Sequence, residues 1–419
     1  MGVVGIICEY NPLHMGHQRM LRQLREQGAE AIVCAMSGNF VQRGEPAVAG
    51  KLARAEMAVR CGADLVLEIP TPWSAATAET FARGGVELLR RTGVVDQLAF
   101  GAECPDVAAL SAVADALDTE EYRGALRRCQ KENITFAARR QAAVAEVLDP
   151  ERAALLTGPN NILAVEYLRS LRGTGIRPVA VPRKGAGHDD ETERDGTVSA
   201  SRIREWLHGG QTEQALSYMP GEAAQVLRRE LERGLAPAGF RYAERGVLDR
   251  LRRMEEEEWA AYDGGGEGLY HRLYQAAQEA ADLDELLARA KTKRYPMARL
   301  RRMVLSAWLE LCPAPREMPY LRLLAANDTG RRLLRQMKDT PVLTKPADVA
   351  RLGKDAEELF RRECRWSDLY ALTCPRLMPC GADWRTTAIL LSGEKRGIDH
   401  EKTTDPACPA GAGAGDHGL

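Results

Sequence analysis

Charge of one sign is not in excess in this chain: 58 Lys and Arg stand against 59 Asp and Glu, a formal net charge of -1. That excludes a protein-wide pull toward nucleic acid or anionic lipid, so any basic surface must be local. No apolar run approaches the roughly 18 residues a membrane-spanning helix needs, which removes the membrane class. The opening residues carry no positively charged stretch and run straight into Glu9. No secretory leader is therefore expected, and a cytoplasmic location is. Ten cysteines are present without one Cys-x-x-Cys pair, and Cys374 and Cys380 are the nearest two in the last third. Neither a zinc knuckle nor a redox pair is signalled, no protein-held metal is expected, and buried free thiols are. The absence of any Gly-x-x-x-x-Gly-Lys-Ser/Thr stretch argues against a P-loop NTPase. No repeat of fixed period is visible.

What is present is a chain of 419 residues, 45% hydrophobic and 28% charged, long enough for two or three domains with real cores. Val3 to Cys8 reads as a strand, and His17 to Gly28 as a helix with Met20, Leu21 and Leu24 on one face and a glycine at its end. The alternation continues with strands over Ala31 to Met36, Leu65 to Ile69 and Gln97 to Phe100, and helices over Lys51 to Cys61 and Ser74 to Arg91. Strands alternating with helices predict an α/β domain with a Rossmann-like parallel sheet covered on both faces. Asp106 to Leu148 is helical in pattern, Asn160 to Arg172 is one helix, Val179 to Pro182 a further strand, and Lys184 to Gly196 a surface loop. Ser199 then caps a short helix through Leu207.

We place a boundary at Gly209-Gly210, giving an N-terminal domain over 1–209. Residues 210–395 are read as almost wholly helical, with amphipathic segments at Ala223 to Glu232, Val247 to Glu258, Leu269 to Ala290 and Met297 to Leu311. Residues 396–419, rich in Ala and Gly, cannot bury enough apolar surface to order and are read as a tail.

The stretch Glu9-Tyr10-Asn11-Pro12-Leu13-His14-Met15-Gly16-His17 leaves the first strand and enters the first helix, at the sheet edge where open parallel sheets bind ligands. Two histidines three residues apart at the first turn lie on one face. Gly16 keeps the approach to the backbone open, and the free N–H groups of a helix start favour phosphate. A zinc site is the competing reading, but no third ligand is placed. His-x-Gly-His in this setting resembles the signature of the HIGH-motif nucleotidyltransferase superfamily. Val198-Ser199-Ala200-Ser201-Arg202-Ile203-Arg204 resembles the same superfamily's second phosphate-binding motif, in which serine hydroxyls and a planar guanidinium hold the β- and γ-phosphates.

More specific phrases lie between them: Ser37-Gly38-Asn39-Phe40-Val41-Gln42-Arg43-Gly44-Glu45-Pro46-Ala47, Phe100-Gly101-Ala102-Glu103 and Gly158-Pro159-Asn160-Asn161-Ile162-Leu163-Ala164. With Thr292-Lys293-Arg294-Tyr295, they resemble the tRNA(Met) cytidine acetate ligase family over nearly the whole chain to about residue 395. That resemblance implies a ligase that makes acetyl-adenylate from ATP and acetate, then acetylates N4 of the wobble cytidine of elongator tRNA(Met) to N4-acetylcytidine. It implies catalytic roles for His14 and His17. ATP contacts would come from Ile7, Cys8, Glu9, Tyr10, Asn11, Pro12, Gly16, Met20, Gly101, Asn161, Arg183, Ser199, Ser201 and Arg204. Magnesium is expected only because ATP normally carries it.

Asn39 to Pro46 is expected to be a loop that closes over acetate and adenylate, hinged at Gly38 and Gly44, and Lys51 and Arg54 are expected to offer charge to ATP or RNA. Lys291 to Arg302 holds six basic residues and no acid, which suits RNA phosphates. Lys293, Arg294, Arg299 and Arg302 are the expected tRNA contacts, with Tyr295 stacking on an unpaired base. Two alternatives stay open: a small-molecule adenylyltransferase making a dinucleotide, and a non-catalytic protein that binds ATP and RNA. Oligomeric state is not readable from the sequence.

Overall fold

A computed structural model describes residues 1–129, 134–182, 196–262 and 268–392. Arg183, nearly all of the expected loop after it and the expected tail from 396 lie outside the described residues. The strands are β1 (Val3–Cys8), β2 (Ala31–Ser37), β3 (Phe40–Val41), β4 (Glu45–Pro46), β5 (Leu65–Ile69), β6 (Gln97–Ala102), β7 (Arg177–Pro182), β8 (Leu321–Ala326), β9 (Val342–Leu343) and β10 (Ile389–Leu390). In the large sheet they lie in the order β10-β8-β5-β2-β1-β6-β7, with β9 on β8, while β3 and β4 form a separate hairpin.

The middle of the sheet follows from the sequence pattern. Near-continuous apolar runs such as Ala31–Ser37 can be strands only where both faces are covered. Ile32, Cys34 and Met36 face one core, packed with Leu21, Leu24 and Ile203, while Ala31, Val33 and Ala35 face the other with Phe81, Leu88 and Val165. From β5 to β7 every neighbouring pair is parallel, and Val4 of β1 sits opposite Ile32 of β2 and Gln97 of β6. Chain order therefore reverses at β1 and β6, and that switch point opens a crevice beyond the strands' carboxyl ends. Several helices begin on side-chain caps, among them those capped by Thr77, Asp106, Thr119, Thr135 and Ser199.

Several sequence expectations are corrected. Residues 210–395 are not wholly helical, because β8 returns to lie antiparallel against β5, and β10 then pairs parallel to β8. Leu321–Ala326 reads as helix because Leu and Ala are strong helix formers, yet all six residues are buried between the sheet's two covering layers. The segment expected as one helix over Leu269 to Ala290 is two, Leu269–Glu279 and Leu283–Ala290, the second capped by Asp282. Asp106 to Leu148 is helical as expected, with the helices Val107–Ala116, Glu120–Arg128 and Phe136–Val147 among its described residues. No described cysteine is paired; Cys34, Cys61, Cys364 and Cys374 are buried as expected, but Cys312 and Cys380 are exposed.

Candidate active site

The turn after β1 is built tightly. Tyr10 takes a left-handed φ of 46°, uncommon for a bulky side chain, and its ring meets that of His17 edge-on at 5.0 Å. Asn11 accepts from the Val48 N–H at 2.7 Å through Oδ1, which pins the turn to the segment before the helix Lys51–Arg60. His14 is the N-cap of the helix Met15–Glu26, and its Nδ1 accepts from the Gly16 N–H at 3.0 Å. His17 closes the capping box, its Nδ1 accepting from the His14 N–H at 3.3 Å. A ring nitrogen that accepts from an N–H carries no proton, which leaves Nε2 of each imidazole as the nitrogen that can donate. The two rings lie 3.9 Å apart and tilted by 32°, stacked rather than splayed. A Cβ on residue 16 would come within 2.9 Å of His14 Cε1, which is why glycine stands between them.

These rings line a cavity of about 430 Å³ at the switch point, in the usual size range for a small-ligand site. Its floor is Ile6, Ile7 and Cys8 of β1 with Ala99, Phe100 and Gly101 of β6, and its rim includes Arg19, Met20, Arg43 and Arg204. Glu9, Tyr10, Asn11 and Gly16 also line it. Arg204 donates to the Asn11 carbonyl at 2.8 Å and to Ser201 Oγ at 3.2 Å, so the second motif is tied to the first. Burial pushes the Arg204 guanidinium below its usual value, against the pull of Glu45 and Glu9.

Other expected residues sit elsewhere. Pro12, Asn161, Ser199 and Ser201 are not part of the cavity wall. Asn161 is buried, with Oδ1 accepting from the Cys104 N–H at 3.1 Å, and its neighbour Asn160 lines the cavity in its place. Glu103 caps that helix start, accepting from the Asn161 N–H at 2.7 Å, so a carboxylate already occupies the position an anion would take. Ser199 caps its own helix, accepting from the Arg202 N–H at 3.2 Å.

Lys51 and Arg54 do not reach ATP or RNA from where they stand. Lys51 is buried in an ionic cluster, donating to Asp383 at 2.7 Å and Glu68 at 2.8 Å. Arg54 is fully buried and donates to the carbonyls of Glu9, Ser37, Gly38 and Ala49, stitching together the ends of β1 and β2. The expected closing loop is a docked hairpin. Arg301 pairs with Glu45, Arg302 donates to the Gln42 carbonyl at 3.3 Å, and Gly44, at φ 80°, lies so close to the helix Met297–Leu309 that a Cβ would meet Arg302 N at 2.4 Å. Burial lowers Arg302 to about 10, and it is the hydrogen bond to the Gln42 carbonyl that makes it a clamp on the hairpin.

Tyr295 is 5% exposed, with the guanidinium carbons of Arg299 and Arg294 5.4 and 5.7 Å from its ring centre. A ring in that position supports the basic surface from beneath and does not offer a face to a base, contrary to expectation. Lys291, Lys293 and Arg294 are exposed. Sequence reasoning passed over Arg19 and Gln23, which line the cavity; Gly16, Met20 and Gln23 share one helix face, the signal that could have found the last of them.

A profile of the HIGH nucleotidyl transferase family matches residues 1–380. The tRNA(Met) cytidine acetate ligase of Syntrophomonas wolfei is 34% identical over 93% of this chain and 99% of that protein. This chain belongs to the tRNA(Met) cytidine acetate ligase family. The Thermoanaerobacter sp. (strain X514) member is 33% identical over 92% of this chain and 98% of its own length. Among solved structures, apo Thermotoga maritima TmcAL superposes with a TM-score of 0.89 at 30% identity, covering 94% of this chain and all of that one. The same protein bound with alpha-thio ATP gives 0.87 at 29% identity.

Proposed function

We propose that this chain joins acetate to ATP as acetyl-adenylate and transfers the acetyl group to N4 of the wobble cytidine of elongator tRNA(Met), forming N4-acetylcytidine. The observation that carries the reading is the pair of Nε2–H imidazoles lining the switch-point cavity, with family membership supplying the substrates. Acetate is ionised at neutral pH and needs no base to attack. One carboxylate oxygen forms a bond to the α-phosphorus while the bond to the bridging oxygen breaks and pyrophosphate leaves with that electron pair. His14 and His17 donate to phosphate oxygens as charge moves onto the leaving group, and Arg204 adds a fixed positive charge at the rim. Donors held by backbone hydrogen bonds need no reorganisation when the charge moves, which is where their effect arises.

Magnesium accompanies the triphosphate in this reading. Among the described residues no three His, Cys, Asp or Glu side chains stand together to cage a metal. Such an ion is ordinarily held by phosphates with one or two carboxylates. Lys293 and Arg294, from the segment that leads into the helix clamping the hairpin, and Arg299, from that helix's first turn, serve the tRNA backbone, and the work divides near residue 209 between nucleotide and tRNA. The described residues include no helix long and apolar enough to cross a membrane. A reaction that uses ATP, acetate and tRNA supports a cytoplasmic location.

Exchange of labelled pyrophosphate into ATP tests the reading. It should require acetate and this chain, with no tRNA present. Exchange without acetate would point to another acceptor and so to a dinucleotide-forming adenylyltransferase, and no exchange under any acid would leave only binding.

A further inference from the structure

The second half of the proposed reaction needs something the histidines cannot supply. When N4 of cytidine attacks the acetyl carbon it must lose a proton, and both imidazoles already carry theirs on Nε2, with Nδ1 turned to backbone N–H groups. Of the titratable groups lining the cavity among the described residues, Arg19, Arg43 and Arg204 are donors only. Burial holds the Cys8 thiol and the Tyr10 hydroxyl well above their usual values and raises Tyr167 as well. Two carboxylates remain, and Glu45 is committed to its ion pair with Arg301.

Glu9 is the other. It is the first residue past β1, beside the turn that carries the histidines. Oε1 accepts from the Gln42 N–H at 2.9 Å, which fixes the carboxylate, and Oε2 makes no hydrogen bond with any described residue. Burial raises its affinity for a proton, opposed by the Gln42 N–H and by the charges of Arg204, Arg43 and Arg54 that face it. A carboxylate so placed is nearer to neutral pH than a solvated one, which is where a general base works best.

We infer that Glu9 is the general base of acetyl transfer, taking the N4 proton on Oε2. In the step, the N4 lone pair forms the bond to the acetyl carbon and the N4–H pair is left on nitrogen as its proton passes to Glu9. The bond from the acetyl carbon to the adenylate oxygen breaks, AMP leaves with that pair, and the proton then goes to water. Gln42 positions the base, so the docked hairpin holds Glu9 in place as well as walling the cavity. This role rests on the function proposed above, and it divides the site into a donor pair for adenylation and one acceptor for transfer.

The test uses full-length protein and E9Q, which keeps the shape and the Gln42 contact. Acetate-dependent pyrophosphate exchange is measured beside single-turnover acetylation of a tRNA(Met) transcript, across pH 5 to 9. Transfer by E9Q should fall by about 10²–10⁴-fold, the usual worth of a positioned base, over and above whatever loss exchange shows from the altered nucleotide site. The wild-type transfer rate should rise with pH through a carboxyl titration and then level, a limb that E9Q lacks and that E9D, should E9Q fold poorly, retains in displaced form. Transfer within about fivefold of wild type, or equal loss in both assays by folded protein, overturns the assignment and leaves the AMP phosphate as proton acceptor or Glu9 as a nucleotide contact. Wild type without acetate-dependent exchange refutes the function itself, a separate outcome.

Discussion

His14 does two things at once, and substitution can separate them. Its Nδ1 caps the first helix by accepting from the Gly16 N–H, while the residue also lines the cavity, where the proposed function uses Nε2–H as a donor. Changing it to Ala removes both. Loss of the cap should lower stability by about 0.5–2 kcal/mol, and loss of one fixed donor should lower the exchange rate by about 10²–10³-fold, or about 2.7–4 kcal/mol of barrier. Asn at the same place caps nearly as well as any residue, since its Oδ1 can accept from the same N–H groups, but it has no donor where Nε2 stood. His17 keeps its own acceptor role in either variant because its partner is the backbone N–H of residue 14. His14→Asn should therefore unfold within about 0.5 kcal/mol of wild type by denaturant titration, yet remain as slow as His14→Ala in acetate-dependent exchange. If His14→Asn exchanges pyrophosphate within fivefold of wild type, the imidazole donor is not what stabilises the leaving group.

Lys51→Met should cost about 3–5 kcal/mol, because it leaves two buried carboxylates, Glu68 and Asp383, sharing Arg322 as their one remaining cation; denaturant unfolding checks this, and a loss under 1 kcal/mol would show that Arg322 alone holds the cluster. Glu363, buried near Glu68 and raised to about 8, binds its proton more tightly in the fold than in the unfolded chain. The stability this gives is present in full below the usual carboxylate value and is lost as pH rises toward 8, so wild type should lose a few kcal/mol relative to Glu363→Gln between pH 5 and 9 in thermal melts. Replacing Lys293 and Arg294 together by Ala should weaken tRNA binding and shallow its salt dependence by about one to two units of log-log slope, measured by filter binding.

The site-bearing half of the sheet was legible because its strands are short apolar runs between clear helices, and because two histidines and a glycine at helical spacing have few other uses. What escaped is tied to partners far along the chain. Nothing near Lys51 says that Asp383 will meet it, and nothing near Asn39 says that Ser367 will accept from its amide at 3.1 Å. Arg54 reads as a surface cation until its four carbonyl partners are in place. β8 was missed because local propensity favours helix there; only the sheet edge left open by β5 makes it a strand. Asn160 and Asn161 differ by one residue in register on a helix start, which sequence alone does not resolve.

The return of β8 has a consequence for synthesis. Leu65–Ile69 is five buried residues long and apolar except for Glu68, and until Leu321–Ala326 emerges from the ribosome its outer edge offers unpaired N–H and C=O groups to any passing strand. The nucleotide-binding half is thus made early but finished late. A chain cut after the helix that ends at His208 should gather into inclusion bodies, and adding back residues 210–392 as a separate polypeptide during expression should rescue its solubility.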